Sequence, residues 1–271
     1  MTPDPHRQLA YPVRFEWGPT GAAATAGGAA YAVVVDVLSF TTAVCVGVER
    51  GIAVHPFAWK DERAREYADR VGATLAIGRH EARRLGGGLS LSPAGIAVAE
   101  GVARLVLPSP NGSSIAAALA HDAAGGAAGA GSEPRVVAAC LRNRTAVARH
   151  LSAEVSVLAR RGVDSCAITV VAAGERWPDG SLRPAVEDLW GAGAVLAALV
   201  DLGIDGLSPE ARVAEAAYRA VEPDLAAAVT ACASGRELVD GGFEEDVAIA
   251  REVDVTDRVP VLSAGAFNHV A

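Results

Sequence analysis

The run Val33-Val34-Val35-Asp36-Val37-Leu38-Ser39-Phe40-Thr41-Thr42 constrains the fold more than any other segment of the chain. An unbroken valine-rich stretch is the pattern of a strand buried on both faces, as in parallel sheets covered by helices. Asp36 then stands at the carboxyl edge of that strand, where open α/β sheets bind their ligands. The hydroxyls of Ser39, Thr41 and Thr42 are placed to cap a helix running through Cys45 to Arg50, whose free N–H groups favour an anion. A carboxylate beside an anion site implies a metal between them. The competing reading is that Asp36 only caps the next helix while the hydroxyls satisfy backbone donors.

Further strands are expected at 14–18, 52–56, 74–77, 104–107, 136–140 and 166–172, with an edge strand around Val259-Pro260-Val261, because a central strand does not tolerate proline. Helical patterns fill 60–71, 115–120, a segment opening at Asn143-Arg144-Thr145, 187–202, 208–220 and 224–236. The segment 21–30 reads as a small-residue connection, 86–93 as an irregular loop and 123–131 as Ala/Gly low complexity. Strands alternating with helices give a three-layer α/β/α architecture with a mostly parallel or mixed sheet. The 271 residues, 51% hydrophobic, are enough for one α/β domain over the whole chain or for two lobes.

A net charge of -8 argues against a nucleic-acid surface. Cys45, Cys140, Cys166 and Cys232 lack CxxC spacing and the six histidines form no ligand pairs, so the thiols read as reduced and no structural zinc is expected. Residues 1–10 contain no apolar signal-peptide core, and no apolar run approaches the roughly 20 residues of a membrane span. The expectation is a cytoplasmic protein without a membrane partner.

A second strand-turn-helix edge is Asn111-Gly112-Ser113-Ser114. Asn-Gly makes a tight turn, and the helix after it presents N–H groups to a phosphoryl oxygen. The segment lacks the spacing of an ATP-binding P-loop, and Gly86 to Gly88 make no dinucleotide fingerprint. The plainer alternative is a turn with an N-cap. Glu187 and Asp188 open a helix where the macrodipole stabilises them, and they also suit Mg2+, which takes few carboxylates and keeps waters. Adjacent helical residues point about 100° apart, so one of the two faces the site. Among Arg142, Arg144 and Arg176, next to Asn143 or in the 174–184 loop, one is suited to an oxyanion. Asp246, after Glu244 and Glu245, is a further carboxylate candidate.

The segments 35–42, Asn111-Gly112-Ser113, Asn143, Ala173-Gly174 and Glu187-Asp188-Leu189-Trp190-Gly191-Ala192-Gly193 together resemble the 2-phosphosulfolactate phosphatase family. Ser234-Gly235-Arg236-Glu237-Leu238, Gly242, Asp246 and Val259-Pro260 continue the likeness in the same order. The resemblance implies an α/β fold, Mg2+, and hydrolysis of 2-phosphosulfolactate to sulfolactate and phosphate in coenzyme M biosynthesis. Three positions depart from it: Ser39 where the family usually has Arg, Arg79 where it has Glu, and Leu91 where it has Asn.

The expectation is a Mg2+-dependent phosphatase for a small anionic phosphate monoester. Asp36 with Glu187 or Asp188 holds the metal, and Asn111, Gly112 and Ser113 bind phosphoryl oxygens. Ser39, Thr41, Thr42, Asn143 and Arg144 complete the substrate site. The nucleophile is water or Asp36, with Ser113 a weaker candidate because no histidine base accompanies it. A haloacid-dehalogenase-like enzyme is disfavoured, since Leu38 stands where its second aspartate belongs. The other class is a family member that binds a phosphorylated or sulfonated metabolite without turnover. A homodimer and a lid at 174–184 are both compatible with the sequence.

Overall fold

A computed structural model describes residues 4–58, 61–125, 134–160 and 167–270. Lys60, Cys166 and residues 126–131 of the Ala/Gly stretch lie outside the described residues. The strands are β1 (Val13–Trp17), β2 (Ala29–Val35), β3 (Ala53–Phe57), β4 (Thr74–Leu75), β5 (Arg104–Pro108), β6 (Arg135–Ala139), β7 (Ala167–Ala172), β8 (Glu175–Arg176), β9 (Leu182–Arg183), β10 (Pro260–Ser263) and β11 (Ala266–His269). Nine of them form one mixed sheet in the order β1-β7-β2-β6-β10-β11-β3-β5-β4, and β8 pairs with β9 in a separate hairpin.

Helices cover both faces of the sheet, giving three layers. Successive side chains of a strand point to opposite faces, so β2 feeds both cores. Tyr31, Val33 and Val35 pack with the helices Arg144–Arg160, Val186–Asp201 and Pro209–Val221, whereas Ala32 and Val34 pack with Gly18–Ala26, Phe40–Glu49 and Gly112–Gly125. The helix Phe40–Glu49 is buried along its length apart from Glu49, as its composition of Val, Ala, Thr and Phe requires.

The parallel set β1-β7-β2-β6 and the parallel set β3-β5-β4 are joined by the hairpin β10–β11. The steps β6–β10, β10–β11 and β11–β3 are all antiparallel, so the two sets run in opposite senses along the ladder. Sheet twist accumulates over this many strands. The carboxyl ends of β2 and β5 nevertheless meet, because the Gly112 N–H lies 2.9 Å from an Asp36 oxygen. That junction positions the site.

Several local expectations are corrected. Residues 21–30 are mostly not a connection: Gly18–Ala26 is a helix whose Ala22 and Ala26 pack on the sheet. Val259-Pro260-Val261 does not mark an edge, since β10 lies inside the sheet between β6 and β11. Pro260 is tolerated there as the first residue of the strand, where the missing N–H interrupts least. The expected helix 224–236 is two helices, Leu225–Ala231 and Ala233–Asp240, broken at an extended Cys232 whose sulfur accepts the Gly235 N–H. The charged helix Arg79–Leu85 and strand β11 carry too little hydrophobic periodicity to be read from sequence. Among the described residues no helix is long and apolar enough to cross a membrane.

Candidate active site

Asp36 follows β2 directly and is buried. Its Oδ1 accepts the Phe40 N–H at 3.0 Å and its Oδ2 accepts the Gly112 N–H at 2.9 Å. The carboxylate therefore caps one helix and clamps the start of another. A Cβ at Gly112 would sit 2.7 Å from Asp36 Oδ2 and from the Phe40 ring, so only glycine permits this approach. Asn111, one residue earlier, donates from Nδ2 to Glu175 Oε2 at 2.7 Å. Two consecutive residues of one turn thus hold two carboxylates.

The helix Val186–Asp201 brings in Glu187 and Asp188, both buried. Asp188 Oδ1 accepts the Val37 N–H at 2.7 Å and Oδ2 the Gly174 N–H at 2.9 Å. It ties the segments after β2 and β7 to that helix. Asp188 feels the charges of Asp36 and Glu175, and the Glu187 charge acts on Asp36, Glu175 and Asp188. It also acts on the Cys232 thiol, which burial first and Glu187 second push up to about 12.

Four carboxylates thus share one buried edge. Burial raises the pKa of Asp36, opposed by its two backbone N–H bonds and by Arg79, and reinforced by Glu187. Asp188 is raised well above the usual carboxylate range by burial and then by Asp36 and Glu187. Burial, followed by the Asp36 charge, pushes Glu175 up to about 7, against the bond from Asn111. Like charges packed at this density either share protons or draw in a cation.

The fold carries a testable consequence of that crowding. Because the folded pKa of Glu175 is raised from 4.5 to about 7, its contribution is fully present below pH 4.5 and is lost as pH rises through about 7. Glu175→Gln keeps an acceptor for Asn111 but cannot ionise. In metal-free buffer it is expected to unfold later than wild type at pH 8, by up to about 3 kcal/mol, with no difference at pH 4.5. Equal stability of the two proteins at both pH values would contradict the crowding.

Among the described residues no three His, Cys, Asp or Glu side chains converge on a metal position. The donor chemistry nonetheless fits Mg2+, which binds through one or two carboxylates and keeps its remaining waters. Asp36, Glu187 and Asp188 are the carboxylates that could hold it, and Asp36 and Asp188 each also accept two backbone N–H groups.

Several candidates have their polar atoms engaged within the protein. Thr41, Thr42, Ser113 and Asn143 are all 0% exposed. The Thr41 hydroxyl donates to the Asp36 carbonyl and accepts the Asp36 N–H, while that of Thr42 donates to the Val37 carbonyl. The Ser113 hydroxyl accepts the Phe57 N–H and lies within donating distance of the Phe57 and Leu107 carbonyls, tying its helix to β3 and β5. All three hydroxyls are thus engaged with backbone groups. Asn143 accepts the Cys140 N–H and donates to the Ala138 and Arg258 carbonyls. Arg144 goes to Asp254 at 2.9 Å and Glu222 at 3.6 Å, and Arg142 to Glu49 and Glu252. Arg176 donates to the Gly180 and Pro110 carbonyls. The expected phosphate donors, Asn111 Nδ2 and Gly112 N–H, are held by Glu175 and Asp36.

The three departures from the family pattern meet at one point. Arg79 donates from Nη2 to the Ser39 hydroxyl and to the Leu91 carbonyl, the latter at 3.0 Å, and from Nε to Asp246 at 2.8 Å. Asp246 is in turn held by Ser92 and the Ala94 N–H. A guanidinium therefore stands over Ser39 and acts on Asp36, delivered from the helix Arg79–Leu85. Arg79 also lines a cavity of about 330 Å³ with Gly78, Leu91 and Phe243.

Sequence reasoning missed Glu175 and Arg183. Glu175 directly follows Ala173-Gly174, so a strand-ending glycine with a carboxylate after it was the available signal. Arg183, which acts on Glu175 and donates to Ser234, carries no local signal. A larger cavity of about 440 Å³, lined by Phe57, Tyr67, Arg63 and Arg70, contains none of the four carboxylates. Charge crowding, not volume, marks the Asp36 edge as the site.

The sequence pattern of 2-phosphosulpholactate phosphatase matches residues 22–265, a span that includes all four carboxylates and Arg79. No curated protein matches the chain.

Proposed function

The chain belongs to the 2-phosphosulfolactate phosphatase family and is a phosphoric monoester hydrolase, and from that premise we propose a Mg2+-dependent reaction, centred on Asp36, on a small phosphate ester bearing a second anionic group. The first candidate substrate is 2-phosphosulfolactate, giving sulfolactate and phosphate. The observation that carries this reading is the convergence of Asp36, Glu175 and Glu187 with the Asn111-Gly112 turn at the meeting point of β2 and β5.

Asp36 with Glu187 or Asp188 holds Mg2+. A divalent ion so bound neutralises phosphoryl charge and lowers the pKa of a coordinated water. The chain itself supplies orientation. The Gly112 N–H becomes available to a phosphoryl oxygen when Asp36 turns to a cation, and Asn111 Nδ2 has a second hydrogen for one besides that given to Glu175. Arg79, clamped at Nε and Nη2, supplies a fixed positive charge for the second anion of the substrate.

Phosphate release from a panel of phosphorylated hydroxy acids, including 2-phosphosulfolactate, with and without Mg2+, tests the reading. Release that depends on Mg2+ supports it. Tight binding of one panel member with no release would instead favour a binding protein. The role of Arg79 is tested with Arg79→Lys, which keeps a charge against Asp246 but loses the fork. KM is expected to rise about tenfold for esters with a second anionic group and to change less than about threefold for esters without one. An equal change for both would remove Arg79 from substrate recognition.

A further inference from the structure

We propose that Glu175 is the acid that protonates the departing alcohol oxygen of the substrate. The inference rests on the phosphatase reading of the Asp36 edge and adds a residue and a step to it.

Four carboxyl groups are candidates for proton delivery, and geometry separates them. Asp188 is committed through both oxygens to the Val37 and Gly174 N–H groups. Asp36 is committed to the Phe40 and Gly112 N–H groups. Glu187 is 2% exposed and lies against Cys232. Glu175 differs in three ways. It is the one of the four that lines an open cavity, of about 250 Å³, shared with Asn111, Thr20 and Ser181. Asn111 holds its Oε2, and among the described residues Oε1 takes no bond from the protein. Its backbone belongs to the β8–β9 hairpin, which is pinned to the phosphate-facing turn by Arg176 donating to the Pro110 carbonyl.

The bond from Asn111 fixes the carboxyl plane and leaves the second oxygen directed to substrate or solvent. Asn111 is adjacent to Gly112, which clamps Asp36, so the acid and the phosphoryl site are held by neighbouring residues of one turn. Burial, the larger cause, favours the protonated form. As water attacks phosphorus, the bond to the ester oxygen breaks with its electron pair moving to that oxygen. The Oε1 proton of Glu175 passes to the same oxygen, releasing a neutral alcohol and leaving a carboxylate. One proton of the attacking water remains on the hydrogen phosphate product, and the other restores Glu175 through the open cavity.

Leaving-group dependence tests the proposal, because an acid matters only where the departing oxygen is basic. Phosphate release by full-length wild type and Glu175→Gln is measured with 2-phosphoglycerate, whose leaving group is an alkoxide, and with 4-nitrophenyl phosphate, whose leaving group departs without a proton. Melting curves establish that both proteins are folded, and Glu175→Asp serves as the conservative variant. The expected result is a kcat loss of about 10²- to 10³-fold for Glu175→Gln on the alkyl ester, under about threefold on the aryl ester, with partial recovery in Glu175→Asp. Equal losses on both esters, or no loss on either, would overturn the assignment while leaving the phosphatase reading intact. Wild type releasing phosphate from neither ester, nor from 2-phosphosulfolactate, would overturn that underlying reading and the assignment with it.

Discussion

Asp36→Asn is expected to lower phosphate release by at least about 10³-fold while leaving the chain folded. The amide can still accept the N–H of Phe40 or of Gly112, but its NH2 then faces the other donor, so about 1 to 2 kcal/mol of stability is lost. Removal of a buried charge beside Glu187 and Asp188 offsets part of that. The activity loss has a different origin: the variant removes the carboxylate around which the turn, the helix start and the charge cluster are arranged. Phosphate release and thermal unfolding on the same preparation separate the two effects. A variant retaining a tenth of wild-type turnover would place the chemistry elsewhere.

Asp188→Ala is expected to produce the largest stability loss of any single change at this edge. Truncation leaves the Val37 and Gly174 N–H groups buried without an acceptor, each costing on the order of 1 to 3 kcal/mol. Relief of repulsion from Asp36 and Glu187 works in the opposite direction, so the net loss is about 3 kcal/mol. Urea unfolding should show a lower midpoint with an unchanged slope. A loss under about 1 kcal/mol would mean that the tie between the ends of β2 and β7 does not depend on this side chain.

Asp36 and Asp188 also show how much of the site was legible beforehand. The valine run of β2 and the carboxylate after it were readable because burial on both faces leaves an unbroken apolar signature. Asn111-Gly112 was readable as a turn into a helix. Glu187 and Asp188 were read as alternatives because adjacent helical residues point apart. That Asp188 accepts the Val37 and Gly174 N–H groups has no local signal in the sequence. The hydroxyls of Thr41, Thr42 and Ser113 illustrate the opposite case. Hydroxyls near a strand end satisfy backbone carbonyls as readily as ligands, and here they do so in the dry interior. The same limit hid the meeting of Ser39, Arg79 and Leu91, three positions of separate segments that only tertiary packing brings together.

The fold shows a similar boundary. Strands of the two parallel sets follow from local apolar runs, whereas β11 and the inner position of the β10–β11 hairpin were unreadable, because these short strands draw their place from neighbours rather than from periodicity. Pro260 made an edge position look obligatory, although proline is equally acceptable at the first residue of an inner strand.

A crystal structure of the protein grown with Mg2+ and orthovanadate tests the central claim most directly, since vanadate mimics the phosphoryl group in transfer. The account predicts vanadate at the Asp36 edge, with Asn111 and Gly112 donating to it and Glu175 on the open side. Vanadate bound in the cavity of Phe57, Tyr67, Arg63 and Arg70, with the Asp36 edge unchanged, would contradict it.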